Sequence, residues 1–310
     1  MVGENFGRFP SIAGRRRAAR MMARDRAESA LYRVATAANE RLSTYWRGQP
    51  EQLALHLGYR EGLHRDDLPG LDDVGFRVYS QFDEDGMLLY LLSLVGMGSR
   101  RCIDIGCGFP MGSNTTNLIV NWRFDALRVD GDPGHIARGN RWFRRNRDTM
   151  FRGPRSICSV VAPDNVNTLL AAEGFGDDVD LLSLDIDGVD YWVWDAMEVT
   201  PRVVVVEFNA SLPAGRALTV PPRPPITTVD DMRAHFYGAS LDAFVELARR
   251  RGYRFVGVSA GPNAFFVHES AIPVGTLSEP DVAAALDRPG RAIGRGPPDA
   301  ALLTLPWLEL

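Results

Sequence analysis

Short apolar runs alternate with amphipathic stretches through the middle of this chain. Runs at residues 101–105, 126–130, 155–161, 179–186 and 202–208 are too short for buried helices, and they read as strands. Between them, 114–122 and 133–147 read as the first and second crossover helices. Strands of this kind separated by helices predict a parallel sheet covered on both faces. Residues 240–251 form an amphipathic helix with Leu241, Phe244, Val245 and Ala248 on one face. Two closing strands, 253–258 and 264–268, are joined by Gly261-Pro262-Asn263 and predict an antiparallel hairpin at the end of the sheet. The expected fold is therefore α/β and Rossmann-like, with seven strands, mostly parallel.

The flanks are less regular. Residues 1–12 carry no pattern, and 14–59 read as an Arg-rich helical stretch. The polar segment 62–75, with Pro69-Gly70 and two Asp-Asp pairs, marks a boundary. This divides the chain into an N-terminal helical extension (1–75), a core domain (76–270) and a tail (271–310) rich in Pro, Gly and Ala. The apolar run 302–308 near the end of the tail is expected to dock on the core or on a second subunit, as in a homodimer. Glu84 and Asp85 precede a long apolar run, as at a helix N-terminus where acids complement the dipole. Capping and a functional role are both open for them.

Composition narrows the chemistry. All 35 basic residues are arginine, which excludes Schiff-base catalysis, a phosphate-binding lysine and a lysine general base. A net charge of −4 disfavours a general nucleic-acid binder. Arg15-Arg16-Arg17 and Arg20 read as a solvated helix face rather than as a site for phosphates or an acidic carrier. Cys102, Cys107 and Cys158 lack zinc-site spacing. Cys102 and Cys158 fall in expected core strands, which suggests a reducing, cytoplasmic compartment. No apolar run follows the charged N-terminus, so neither a signal peptide nor a membrane span is expected.

The stretch 101–112, R-C-I-D-I-G-C-G-F-P-M-G, is a short apolar strand that carries Asp104 and breaks into Gly106, Gly108 and Gly112. Missing side chains let a backbone approach a ligand closely, and the following helix would present its N-terminus. A second strand ends in Asp130 and Asp132, at the distance of the ribose-binding acid in a dinucleotide fingerprint. These features serve a nicotinamide enzyme as well. On the D-x-G-x-G motif at 104–108, the chain resembles the class I S-adenosylmethionine-dependent methyltransferases, over about residues 79–268. The S-Q-x-x-E-D-G pattern at 80–86 is similar to a segment before the first strand in bacterial FkbM-like methyltransferases. The resemblance implies S-adenosylmethionine as cofactor, with Gly106 and Gly108 making the turn and Asp104 holding it or the amino group through water. It places Asp130 on the ribose, with Asp132 as rival, and Val160, Val161 and Asn165 beside adenine. Asp185 is a further cofactor-binding candidate.

Asp185 and Asp187, separated by one residue at a strand end, point to the same side. Glu207 and Asn209 repeat the pattern on the next strand. Hard oxygen donors of this kind suit Mg²⁺. The arrangement resembles the metal site of catechol-type and macrolide-sugar O-methyltransferases. It departs from them in the spacing of Glu207 and Asn209 and in having no lysine base. Three readings stay open: a metal held by Asp185, Asp187, Glu207 and Asn209; carboxylates that bind substrate directly; and a turn and helix cap built by Asp187, Gly188 and Asp190. Tyr191, Trp192 and Trp194 either wall a pocket or pack helix on sheet. Residues 212–240 read as a lid. Within it His235 is the expected base, with Asp187 as its catalytic companion; His135 is less well placed. The function expected is methyl transfer to a hydroxyl of a small molecule, a sugar or secondary metabolite, with possible Mg²⁺ assistance. The alternatives are an NAD(P)-dependent oxidoreductase, which the missing Tyr-x-x-x-Lys pair disfavours, and a non-catalytic binding protein of the same fold.

Overall fold

The computed structural model describes residues 48–222, 235–287 and 301–310. The expected helical stretch up to residue 47, with its arginine run, lies outside these residues, as does the middle of the expected lid. Helix α1 (Gln49–Arg65) starts after Gly48 in a left-handed conformation and has Pro50 in its first turn. It ends at Arg65, past the start of the expected boundary at residue 62.

Helix α2 (Glu84–Val95) is buried at every position, acids included. A helix that is apolar nearly all round belongs inside a core. Gly86 makes this possible, because backbone atoms of Val74 and Phe76 lie where its Cβ would be.

The expected sheet is present. Its strands are β1 (Arg101–Ile105), β2 (Asp125–Asp130), β3 (Arg155–Cys158), β4 (Leu181–Leu184), β5 (Val203–Glu207), and, after a short β6 (Leu218–Thr219), β7 (Tyr253–Val258) and β8 (Asn263–His268). The seven strands lie in the order β3-β2-β1-β4-β5-β8-β7. The first five pair in parallel, and β8 runs antiparallel to both β5 and β7. One expectation is corrected at the edge: β3 stops at Cys158, and this cysteine is exposed rather than in the core. An edge strand has a neighbour on one side only, and the chain turns away at Ser159, whose N–H donates to the Asp130 carbonyl (3.0 Å).

Period-two alternation sorts the strands into two layers. Ile103, Ile105, Leu127, Val129, Leu182, Leu184, Val204 and Val206 face α5 (Val166–Ala172), α6 (Asp190–Ala196) and α7 (Leu241–Arg250). Tyr191 and Trp194 are buried in that layer, so both pack helix on sheet. Trp192 is half-buried and donates from its ring N–H to the Val220 carbonyl (2.8 Å). Cys102, Ala126, Leu181, Val203 and Val205 face α2, α3 (Thr116–Trp122) and α4 (Pro133–Arg145). Towards the carboxyl ends this second face turns polar, through Asp104, Arg128 and Ser183, and then Asp185 and Glu207.

Beyond the sheet, α8 (Val282–Leu286) precedes the last described segment, in which β9 (Leu308–Glu309) pairs antiparallel with β6. Leu302 is buried with Leu212 and Leu218, and the Trp307 ring meets Phe236 at 4.7 Å between centroids. The apolar end of the tail thus seats on the segment that follows β5. Among the described residues, no helix is long and apolar enough to cross a membrane.

Candidate active site

The glycine turn after β1 is tied to the end of β2. The Val129 carbonyl accepts from the N–H groups of Gly106 (2.8 Å) and Cys107 (3.2 Å). Asp130 accepts from Gly108 N–H at Oδ2 (2.8 Å) and from Asp132 N–H at Oδ1 (2.8 Å). His135 Nδ1 lies 3.3 and 3.2 Å from the two Asp130 oxygens. Gly106 and Gly108 both take positive φ, 77° and 49°. A Cβ on Gly106 would overlap the Asp185 carbonyl oxygen, whereas one on Gly108 would meet nothing within 4 Å.

The two ribose-acid candidates separate clearly. Asp130 lies against the turn. Asp132 caps α4, accepting from Gly134 N–H (2.6 Å), and that bond holds its carboxyl below the usual range. Asp104 does not touch the peptides of the turn. Its Oδ2 accepts from the hydroxyls of Ser113 (2.8 Å) and Thr115 (2.7 Å), which fixes the entry to α3, and burial raises its pKa. In the loop after β3, Val161 joins the core while Val160 is exposed. Asn165 folds this loop back, donating to the Val160 carbonyl (3.0 Å) and accepting from Ala162 N–H (2.9 Å).

The second part of the site lies at the ends of β4 and β5. Carboxylate oxygens of Asp185, Asp187 and Glu207 lie within 4.8 Å of one another. Burial, then the charge of Glu207, pushes the Asp185 carboxyl well up, and burial pushes the Glu207 carboxyl up to about 7. Burial also raises Asp187, whose backbone is left-handed at φ 53°.

Asp190 is a brace. Its two oxygens accept from the N–H groups of Ile186 (2.8 Å) and Gly188 (2.9 Å), and burial pushes it up to about 6. Asp190 therefore ties the turn before α6, whose N-cap is Val189 without a side-chain cap bond, while Asp187 is grouped with the acids.

Asn209, expected beside Glu207, is turned to other work. Its Oδ1 accepts from Ser211 N–H (3.0 Å), and its Nδ2 donates to the carbonyls of His235 (2.8 Å) and Tyr237 (3.0 Å). It pins the returning lid segment. His235 itself is exposed, with φ 54°.

Further residues join the site, among them Glu84 and Asp85, for which the sequence leaves capping and a functional role both open. The Tyr237 phenol is pushed up to about 12 by burial and then by the charges of Glu207, Asp187 and Asp185. Glu84 accepts from Phe82 N–H (2.8 Å) and from Asn263 Nδ2 (2.9 Å), and Asn263 is the register partner of Glu207. Asp85 binds the N–H groups of Val78, Tyr79 and Ser80 (2.7, 2.6 and 2.8 Å). It therefore fastens the segment before α2 rather than capping that helix. Asp83 takes Ala260 N–H (2.7 Å), so the whole S-Q-x-x-E-D-G stretch borders the carboxyl ends of the strands. Arg128, a charge in the middle of an apolar strand, was the one visible sign of a further role.

No family model matches the chain, and no curated protein matches it. Among solved structures, it is similar to a Staphylococcus aureus protein provisionally named a caffeoyl-CoA O-methyltransferase (12% identity, 54% of this chain and 75% of that one, TM-score 0.36). It is also similar to TehB from Haemophilus influenzae (10% identity, 54% and 57%, TM-score 0.33). A third likeness is to geranyl diphosphate C-methyltransferase from Streptomyces coelicolor, solved with Mg²⁺, geranyl diphosphate and S-adenosyl-L-homocysteine (17% identity, 56% and 61%, TM-score 0.33). The chain spans less than two thirds of the last two. Likenesses this weak carry neither activity nor residue roles across.

Proposed function

We propose that this chain is an S-adenosylmethionine-dependent methyltransferase acting on a hydroxyl of a small molecule, a sugar or secondary metabolite, with Mg²⁺ held by Asp185, Asp187 and Glu207. The observation that carries the reading is the Gly108–Asp130 pair: the glycine leaves open space where a side chain would stand, and its N–H fixes the acid beside that space. A cofactor with a narrow amino-acid part and a ribose fits such a cradle. The acid triad fits a hard divalent cation by donor type and by mutual distance.

When bound, the sulfonium supplies an activated methyl group and the cation lowers the pKa of the attacked hydroxyl. The chain's own residues then align and deprotonate. Asp130 takes the ribose hydroxyls, the bare backbone at Gly106 and Gly108 admits the methionine part, and Val160 borders adenine. Asp185 spans both halves of the site, since its carbonyl abuts Gly106 while its carboxyl belongs to the triad. His235 is the proposed proton acceptor, with Asp187 as second candidate; Asn209 pins the peptide that carries the histidine.

Native mass spectrometry of the purified chain, followed by calorimetric titration with S-adenosylhomocysteine and in parallel with NADH, tests the reading. S-adenosylhomocysteine should bind the wild type and not Asp130→Ala, with both proteins folded. Binding of NADH alone would transfer the chain to the oxidoreductases, and binding of neither would end the cofactor assignment.

A further inference from the structure

We infer that Arg128 is the positioning residue of the glycine turn, setting which way its peptide groups face at the cofactor cradle; the inference rests on the cofactor reading above. Arg128 lies in the middle of β2, on the face covered by α4, and is wholly buried. A guanidinium in that position costs several kcal/mol unless its charge and donors are met. The meeting is partial and directed. Nη2 donates to the carbonyls of Cys107 (3.1 Å) and Gly108 (3.0 Å), both in the turn. Nε stands 4.0 Å from Asp104 Oδ2, and the guanidinium carbon lies 5.1 Å from the centre of the Phe143 ring. Gly139 of α4 leaves the room, since a Cβ there would come within 2.5 Å of Nη1. Yet Nε and Nη1 make no hydrogen bond. An apolar residue would fill this layer at lower cost, so stability alone does not account for the arginine.

Geometry supplies the other reason. Three successive residues of β2 divide the turn between them. Val129 and Asp130 take its N–H groups, and Arg128 takes its carbonyls. Glycines adopt either sign of φ readily, so Gly106 and Gly108 do not themselves select the orientation of the peptides around them. Arg128 does, by drawing the Cys107 and Gly108 carbonyls into the interior and leaving the open side of Gly108 bare. Without the two Nη2 bonds, those carbonyls are free to swing towards the cradle.

Two variants separate this role from a structural one. Arg128→Lys keeps a positive charge opposite Asp104, but its ammonium ends where the guanidinium carbon stands, one bond short of the Nη2 that meets both carbonyls. Arg128→Met combined with Asp104→Asn removes both charges, so no buried ion is left alone. Each is compared with wild type by thermal unfolding, by calorimetric titration with S-adenosylhomocysteine and by amide hydrogen exchange at residues 106–108. In every folded variant, affinity should fall by about tenfold or more, and exchange should quicken by a similar factor, as expected for losing two charge-assisted hydrogen bonds. Wild-type affinity and exchange in a folded variant would overturn the inference, as would failure of both variants to fold. If the wild type itself does not bind S-adenosylhomocysteine, the cofactor reading falls separately, and exchange at 106–108 alone decides whether Arg128 sets the turn.

Discussion

The carbonyl oxygen of Asp185 occupies the space that a Cβ on Gly106 would need. The pairing of β1 with β4 brings this about, with Ile105 opposite Leu184 and Asp185 N–H donating to the Ile105 carbonyl (3.0 Å). The glycine turn and the acid triad are therefore neighbours along the backbone, not two sites joined through a cavity. The two glycines of the turn have different reasons to be glycine. Gly106 admits the chain that bears the acids, and Gly108 leaves the cradle open.

That difference is measurable. Gly106→Ala should unfold the chain or cost several kcal/mol, because backbone must move to relieve the overlap. Gly108→Ala should cost only about 1–2 kcal/mol for its left-handed backbone and should stay folded while losing S-adenosylhomocysteine affinity. Thermal unfolding of the two variants decides it; similar melting temperatures would contradict the asymmetry.

Asn209 holds the lid segment where it returns to the sheet. Asn209→Ala removes the bonds to the His235 and Tyr237 carbonyls and to Ser211 N–H, a loss of about 1–3 kcal/mol for buried groups left unpaired. Hydrogen exchange at residues 235–239 should quicken while β5 stays protected, and S-adenosylhomocysteine affinity should hold within a few fold. A large loss of affinity with unchanged exchange would instead make the residue part of the binding site.

The sheet was legible because its strands are short apolar runs with acids at their carboxyl ends, and period two alone puts Asp185 and Glu207 on one face. Where local pattern misled, a distant segment had claimed the residue. Asn209 has the spacing of a ligand, but the carbonyls of His235 and Tyr237 take its amide, and nothing near position 209 announces them. Cys158 looks like core until β3 proves to be the edge. Arg128 was readable only as an anomaly, since its purpose depends on carbonyls about twenty residues earlier in the chain. Tyr237 meets Asn209 through its carbonyl only because the chain folds back after β5.

The end of the tail is the next test. Trp307 stacks edge-on against Phe236 and donates from its ring N–H to the Leu302 carbonyl (2.9 Å), one residue away from Tyr237 in the pinned segment. Trp307→Ala should cost about 1–3 kcal/mol and loosen β6 together with residues 236–239. Hydrogen exchange reads both segments; protection unchanged at 236–239 would show that the tail does not support this side of the site.

The acid triad gives a prediction with a definite sign. Burial and the neighbouring negative charges raise both the Asp185 and the Glu207 carboxyls above the ordinary carboxylate range. In the unfolded chain both titrate near 4. The native state therefore binds the extra proton between that value and its own raised range. The stability this gives is complete below about 4 and is lost as pH rises through the raised range. A divalent cation opposes the trend, because it takes the place of the proton and binds more tightly as the proton leaves. After exhaustive chelation, the melting temperature should fall as pH is raised from about 5 to 8, and the fall should be smaller in Glu207→Gln, which has lost one repelling charge. With Mn²⁺ in excess the fall should flatten, and the gain over the chelated protein should grow with pH to about 2–3 kcal/mol at a hundredfold excess over the dissociation constant. Asp187→Asn should lose most of that gain while keeping its affinity for S-adenosylhomocysteine. If Mn²⁺ shifts the melting temperature at no pH, the triad does not hold a metal. Its carboxylates would then meet substrate hydroxyls directly, and the same Asp187→Asn variant would raise the acceptor KM in a chelator-resistant enzyme.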